Sequence, residues 1–260
     1  MGILLCLEKN MNNLRIQKVK KKISVTYSGT STVLSIENQR KITSNWNFIN
    51  NKKRYFNGDI YTVNQICSTQ NEITFSVSRT DYAHYLYSSN HNLQEEDCKI
   101  IFTSAVLLTN DNKIILGKMG TNTSSPNRIQ CIGGNIDAND LEENKFNLQD
   151  SIYREINEEI GISVPKNKLT PTYLKTDSHM KYTAIIFCVN LEKSWPDIKN
   201  LFQKHTNVLS SMNRSPELQN LLSVNLNNES ITDFCKKNKS HLVDYLQPLL
   251  NTLVLDKKYE

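Results

Sequence analysis

Residues 148–162 read LQDSIYREINEEIGI, and this stretch predicts an amphipathic helix. Apolar residues recur at every fourth position, which places them on one buried face. They are Leu148, Ile152, Ile156 and Ile160. Gly161 follows directly and suits the left-handed conformation that often ends a helix. The acidic residues cluster on a different face, because residues three and four positions apart are neighbours on a helix. They are Glu155, Glu158 and Glu159.

The three glutamates repel one another, because like charges at this spacing destabilise a helix by a few tenths of a kcal/mol each. Two interpretations of the cluster are open. It is either a solvated acidic face or a site for a hard divalent cation such as Mg²⁺, which prefers oxygen ligands and is usually held by few carboxylates together with substrate phosphates. Arg154 adjoins the cluster, and its guanidinium is suited to fixing one glutamate through paired hydrogen bonds.

The segment from Arg154 to Ile162 resembles the second half of the signature of Nudix hydrolases. That signature runs Arg-Glu, an aliphatic residue, any residue, Glu-Glu, any residue, glycine and an aliphatic residue, and every constrained position agrees. Gly133 and Gly134 resemble the glycine pair that ends the preceding strand in the family, and the resemblance places them in the substrate site.

The resemblance implies a metal-dependent hydrolase. Glu155, Glu158 and Glu159 would bind Mg²⁺, with Mn²⁺ as an alternative, and Arg154 would belong to the same catalytic group. The substrate would be a nucleoside diphosphate linked to another group, and water would attack one phosphorus while the metal polarises the phosphate. One of the glutamates, or an acid from a distal loop, would accept the proton of the water.

The loop before the helix departs from the family pattern, because it is about six residues longer than usual. The family has a further glutamate in this loop. Counting forward from the glycine pair places it at Asp140, and counting back from the arginine places it at Phe146. Asp137 is another candidate, so the identity of the upstream acid stays open. We expect the extra residues to form a local excursion, because long surface insertions cost little free energy.

The rest of the chain predicts an α+β fold, an α/β/α sandwich with a mixed sheet flanked by helices. Alternating apolar residues predict strands at 23–27 and 72–78. Apolar runs at 100–108 and 113–118 flank turn residues at 109–112 and predict a hairpin. We divide the chain into a strand-rich N-terminal extension, residues 1–97, and a Nudix-type domain, residues 98–255.

The C-terminal part is predicted to be helical. Ser215-Pro216 offers a helix N-cap followed by proline at the first helical position, and Ser230 begins an approximate capping box. An apolar stripe then follows and indicates core packing. It consists of Leu242, Tyr245, Leu246, Leu249 and Leu250.

Composition excludes several classes of protein. The net charge of +5 is not concentrated in one long run, which argues against a nucleic-acid partner. No apolar stretch of about 18 residues occurs, so we expect a soluble protein without a membrane partner. The cysteines form no CxxC pair, and a reducing, cytoplasmic location fits them best. They are Cys6, Cys67, Cys98, Cys131, Cys188 and Cys235, of which Cys67 and Cys188 are predicted to be buried.

Candidate residues for substrate specificity lie outside the helix. The segment 80–86 resembles the region before the Nudix core in the members of that family that hydrolyse UDP-sugars, which favours UDP-glucose or UDP-galactose as substrate. Tyr82 would stack on a base or line the sugar pocket, and Arg79 would pair with phosphate. His179 and Tyr182 are further candidates. ADP-ribose, NADH, dinucleoside polyphosphates and a non-catalytic nucleotide-binding module remain alternatives.

Overall fold

The computed structural model describes residues 14–53, 55–123, 125–178 and 180–259. Cys6 and His179 lie outside them. The strands are β1 (Arg15–Lys18), β2 (Lys22–Ser31), β3 (Asp59–Ser68), β4 (Glu72–Asp81), β5 (Ile100–Leu108), β6 (Lys113–Met119), β7 (Ile129–Gln130), β8 (Leu141–Glu142), β9 (Lys145–Phe146), β10 (Pro171–Thr176), β11 (Tyr182–Asn190) and β12 (Leu218–Asn225). The helices are α1 (Ile36–Lys53), α2 (Tyr82–Asn90), α3 (Leu148–Ile160), α4 (Trp195–Ser211), α5 (Asn228–Asn238) and α6 (Leu246–Tyr259).

Within the described residues, all strands belong to one mixed sheet. Its main path runs β1-β10-β11-β5-β3-β4-β2-β9-β8, and β6 joins β5, β7 and β12 beside it. The strand β5 connects the two parts of the chain, because it pairs with β3 at Thr62 and Ile100 and runs parallel to β11 along its whole length. The predicted domain boundary after residue 97 stays a prediction, although the sheet continues across it.

Helices cover both faces of the sheet. Alternate residues of a strand point to opposite faces, and β11 shows this clearly: Ile185 and Phe187 pack with α3 and α4, whereas Ala184 and Ile186 pack with α5 and α6. The two buried layers make an α/β/α sandwich, so the predicted α+β fold class is confirmed. Among the described residues, no helix combines the length and the apolar character needed to cross a membrane.

The helix α3 forms with the predicted bounds, because its signals are local. Asn147 caps it by accepting a hydrogen bond from the amide of Asp150 at 3.2 Å. Ile152, Ile156 and Ile160 are fully buried, as the four-residue repeat predicts. Gly161 ends the helix at φ 71°, in the left-handed region.

Other local predictions hold as well. The hairpin of β5 and β6 is confirmed, and Asn112 in its turn adopts φ 58°. The alternating segments 23–27 and 72–78 lie within β2 and β4, which pair in parallel. The apolar stripe from Leu242 to Leu250 is buried in the core, and its last three residues, Leu246, Leu249 and Leu250, lie on α6.

Two predicted helix starts are wrong. Residues after Ser215-Pro216 form the strand β12, because Leu218, Leu221 and Val224 bury their side chains while the strand pairs with β6. Tertiary pairing here overrides local helix-initiating chemistry. Helix α5 begins at Asn228 rather than after Ser230, because Asn227 provides the cap by accepting a hydrogen bond from the amide of Ser230.

The N-terminal part holds more helix than the sequence predicts. Helix α1 spans 18 residues and packs against α2 through Ile42 and Ala83. The prediction that Cys67 is buried is wrong, since it lies on the exposed end of β3. Cys188 is half-buried on β11.

Two glycines in the left-handed region give a matched stability test. A Cβ on Gly161 would lie 2.5 Å from the ring of His205, whose Nε2 is 2.8 Å from the carbonyl oxygen of Glu158. A Cβ on Gly29, at φ 75°, would meet nothing within 4 Å. We expect Gly29→Ala to cost about 1 kcal/mol from backbone strain alone. Gly161→Ala should cost about 1–3 kcal/mol more, because overpacking adds to the strain.

Chemical denaturation of the three proteins measures both free energies of unfolding. Equal losses for the two variants would show that the packing of α3 against α4 does not depend on a glycine at residue 161.

Candidate functional site

The chain following β7 touches α3 at a pair of glycines. The amide of Gly133 donates to Oε2 of Glu159 at 2.9 Å. A Cβ on Gly133, at φ 148°, would lie 2.2 Å from the carbonyl oxygen of Thr103, and a Cβ on Gly134 would lie 2.7 Å from the carboxyl carbon of Glu155. Gly133 therefore excludes a side chain because backbone atoms lie against it, whereas a side chain at residue 134 would displace the carboxylate of Glu155.

Arg154 is the centre of a partly buried charge network. Its Nη2 lies 2.9 Å and its Nε 3.3 Å from the two carboxylate oxygens of Asp140. Its Nη1 lies 2.7 Å from Glu155 and 3.5 Å from Glu158. The paired hydrogen bonds expected for Arg154 thus form with Asp140, which is almost fully buried, while Glu155 accepts a single one.

The two candidates for the upstream acid have different surroundings. Asp140 contacts Arg154 at the position obtained by counting forward from the glycine pair. Asp137 instead caps the short 3₁₀ turn Ala138–Asp140 by accepting from the amide of Asn139 at 2.8 Å. The structure thus brings Asp140 to the arginine, and a role for either acid in metal binding stays a prediction.

The extra loop residues form the expected local excursion. Strands β8 and β9 make a small hairpin of residues 141–146, and β9 adds to the edge of the sheet beside β2. The hairpin is closed at its base, where the amide of Asn147 donates to the carbonyl oxygen of Asp140 at 2.7 Å. Phe146 anchors it in the core at 5% exposure. The glycine pair and α3 are therefore in contact despite the insertion between them.

Burial dominates the electrostatics of two helix glutamates. It raises the pKa of Glu155 to about 7, against the lowering effect of Arg154 and together with the charge of Glu217. Burial and the charges of Glu217 and Glu155 raise the pKa of Glu159 well above its ordinary value. Oε1 of Glu159 is buried without a hydrogen-bond partner. Glu158 differs, because 59% of its side chain is exposed.

Glu217 is a fourth acid that the sequence analysis missed. It lies just before β12, where its carbonyl oxygen accepts a hydrogen bond from the amide of Gly120 at 2.8 Å. Its side chain keeps surface exposed to solvent, yet the surrounding protein and the charge of Glu158 raise its pKa. No signal in the local sequence indicates this placement, because it depends on the pairing of β12 with β6.

A cavity of about 820 Å³ opens beside these acids. Its acidic part includes Asp137, Glu155 and Glu217 together with the glycine pair and Arg154. Its aromatic lining comes from both parts of the chain. Tyr82 and Tyr85 belong to the N-terminal region, and Phe102, Tyr182 and Tyr245 to the rest. A second cavity of about 750 Å³ is also lined by Tyr82 and Glu217, so Glu217 lies between the two cavities.

Of the substrate-binding residues predicted outside α3, Tyr82 lines the cavities and Arg79 does not. Tyr82 begins α2 and lines both cavities, and its ring packs edge-on against Trp46 and Tyr55. Arg79 does not line either cavity. Its guanidinium lies 3.7 Å from Asp59 with half of the side chain exposed, so its pairing with phosphate stays a prediction.

One direct observation suggests that a divalent cation fits beside these acids. Oε1 of Glu159 is buried without a hydrogen-bond partner among the described residues. Among the described residues, no group of three or more His, Cys, Asp or Glu side chains is already arranged to hold a metal ion. Glu155 is hydrogen-bonded to Arg154, and Glu159 to the amide of Gly133. A cation would therefore compete with Arg154 for Glu155 and would supply the missing partner of Glu159.

No protein-family model matches the chain, and no curated protein matches it in sequence. Solved structures resemble part of the fold. DR0079 from Deinococcus radiodurans is 10% identical with a TM-score of 0.46, over 75% of this chain and 99% of that one. The MutT protein from Methanosarcina mazei Go1 is 16% identical with a TM-score of 0.40, over 61% and 95%.

A third similar structure is the bifunctional NMN adenylyltransferase/ADP ribose pyrophosphatase from Francisella tularensis, in complex with AMP and a manganese ion. It is 12% identical with a TM-score of 0.39, over 61% of this chain. The match spans only 42% of that protein's length. Identities and TM-scores this low give no information about chemistry, so only the residues of the site itself indicate what it can do.

The buried acids predict that the metal-free protein loses stability as the pH rises. Burial raises the pKa of Glu155 in the folded state to about 7 from its ordinary value of 4.5, so its protonated form stabilises the fold at low pH. This contribution is lost progressively as the pH rises from about 4.5 to about 7, and about 2 kcal/mol of it at most is lost above pH 5.5. Thermal unfolding in EDTA at pH 5.5 and pH 8 measures the loss.

Glu155→Gln and Glu159→Gln should each lose less stability across this range than the wild type. Glu143→Gln, in the exposed turn of the hairpin, is the charge-matched control and should behave like the wild type. An identical pH dependence in all four proteins would mean that the two helix glutamates ionise freely.

Proposed function

We propose that this chain is a Mg²⁺-dependent hydrolase that cleaves a nucleoside diphosphate linked to another group. The observation that carries the proposal is the pair of buried acids, Glu155 and Glu159. Glu155 lines the cavity, and among the described residues Oε1 of Glu159 has no hydrogen-bond partner. A cavity of about 820 Å³ is of the size that holds a cofactor-sized ligand. The full match of residues 154–162 to the Nudix signature supports the same chemistry.

Each residue of the site has a role in this proposal. Glu155, Glu158 and Glu159 hold the metal ion, and Arg154 fixes the position of Glu155. When bound, the ion supplies positive charge that polarises the diphosphate and lowers the pKa of a nearby water. Glu217 accepts the proton of the attacking water. It suits that role because it lies on the wall of the cavity and its raised pKa brings it closer to the range of a general base.

The favoured substrate is UDP-glucose or UDP-galactose, which would give UMP and a sugar 1-phosphate. Tyr82 and Tyr85 offer aromatic surfaces on which a base or sugar ring packs, and Ser89 and Asn90 on the same wall offer hydrogen bonds to hydroxyl groups. Two cavities that meet at Glu217 suit a substrate with a bulky group on each side of its diphosphate. ADP-ribose, NADH and dinucleoside polyphosphates share this form.

A substrate panel tests the proposal. We expect turnover of at least one of these compounds with Mg²⁺ or Mn²⁺, read by release of nucleoside monophosphate. Glu159→Gln and Glu158→Gln should lower kcat/KM, with the buried Glu159 losing about 100-fold or more, because the metal contributes several kcal/mol. Glu143→Gln again serves as the control.

Full activity of Glu159→Gln would remove this residue from the metal site. If no compound is hydrolysed by the wild type, the proposed reaction is wrong. Calorimetric binding of nucleotide without any product would then favour the non-catalytic nucleotide-binding module.

The role of Glu217 as a base rather than a metal ligand makes a separate prediction. Glu217→Gln should lower kcat about 100-fold or more, the usual contribution of a general base. It should keep the increase in melting temperature that Mg²⁺ gives the wild type. Loss of that increase would make Glu217 a metal ligand, and unchanged kcat would give it neither role.

A further inference from the structure

The cavity lined by Glu155 and Glu217 is also lined by three cationic side chains. They differ in the negatively charged groups and oxygen atoms that surround them. The guanidinium of Arg154 is paired with Asp140 and Glu155. The ammonium of Lys175 is fully buried and lies 2.8 Å from the carbonyl oxygen of Tyr182. It also lies 3.5 Å from Asp244 and 3.6 Å from Asp177. The third cation is Arg128.

Arg128 has no carboxylate within ion-pair distance in the part of the chain that the structure describes. Its Nη2 donates to the carbonyl oxygen of Leu242. A guanidinium carries five N–H donors, so most of those on Arg128 have no acceptor among the described residues. The side chain is half-buried on the cavity wall.

The backbone beside Arg128 is fixed. The amide of Ile129 donates to the carbonyl oxygen of His241 at 2.8 Å, and the amide of Val243 donates back to that of Ile129 at 3.1 Å. These bonds lock β7 to the segment before α6. Arg128 directly precedes this strand, and its guanidinium is held by the carbonyl oxygen of Leu242. The side chain is therefore partly pre-organised for an anion, because less conformational entropy is lost on binding.

We propose that Arg128 binds a phosphoryl group of the substrate and so determines which ligands the cavity accepts. The inference rests on the proposed hydrolase function. A guanidinium donates two parallel hydrogen bonds to two oxygens of a phosphate, and the negative charge of the phosphate balances the positive charge of the guanidinium. The phosphoryl group belongs either to the diphosphate that is cleaved or to a second phosphate on the substrate.

Binding and kinetics of NADH and NADPH distinguish the two sources, because the two compounds differ by one phosphate. We expect Arg128→Gln to raise Kd and KM about tenfold or more, with a smaller effect on kcat. A glutamine keeps a donor for the carbonyl oxygen of Leu242 but not the charge. Arg128→Lys should recover part of the loss, because it restores the charge without the paired geometry. Equal increases in Kd and KM for both compounds would mean that Arg128 binds the diphosphate. An increase for NADPH alone would mean that it binds a second phosphate.

Lys118→Gln is the matched control, since Lys118 lies opposite Ile129 on the neighbouring strand β6 and lines neither cavity. Melting temperatures of all variants separate a structural role from a binding role. The inference is overturned if Arg128→Gln changes Kd and KM less than twofold for both compounds, or if the wild type binds neither of them. If the wild type binds them in an Arg128-dependent way but hydrolyses nothing, the hydrolase proposal alone fails.

Discussion

The close contact between the glycine pair and α3 is the constraint on which the site depends. Gly133 has no room for a Cβ because the backbone of Thr103 lies against it, and in this position its amide donates to Glu159. A Cβ on Gly134 would collide with the carboxylate of Glu155. The contact removes water from both acids, and one backbone amide replaces only part of the lost hydration. The raised pKa values and the unpartnered oxygen of Glu159 follow from this arrangement. The fold thus stores an unfavourable charge at one place, as expected of a functional site.

Arg154 limits that cost without removing it. One guanidinium faces Asp140, Glu155 and Glu158, so its single positive charge is shared among three negative ones. Asp140 takes the two-point contact and fixes the orientation of the arginine, which leaves Glu155 and Glu158 with one contact each. The site therefore keeps a net negative charge beside the cavity. A divalent cation is the complement that this charge distribution favours.

The sequence predicts those parts of the structure whose causes are local. The bounds of α3 follow from the four-residue repeat and from Gly161, and both signals lie within the helix or next to it. Asp140 was one of several candidates, because its position relative to Arg154 depends on how residues 141–146 fold against β2. Glu217 could not be found, since Ser215-Pro216 has the chemistry of a helix start and only pairing with β6 turns the segment into a strand.

The N-terminal region complements the acids rather than standing apart from them. Strand β3 pairs with β5, and this pairing brings α2 with Tyr82 and Tyr85 to the cavity that Glu155 lines. The acids predicted to bind metal lie on α3, whereas Tyr82 and Tyr85 come from a segment with little local pattern. Glu155 and the two tyrosines line the same cavity, so a ligand that fills it contacts both parts of the chain. The cavity is therefore shaped in part by residues far from α3 in sequence, which explains why the pattern of residues 154–162 gives no information about this aromatic surface.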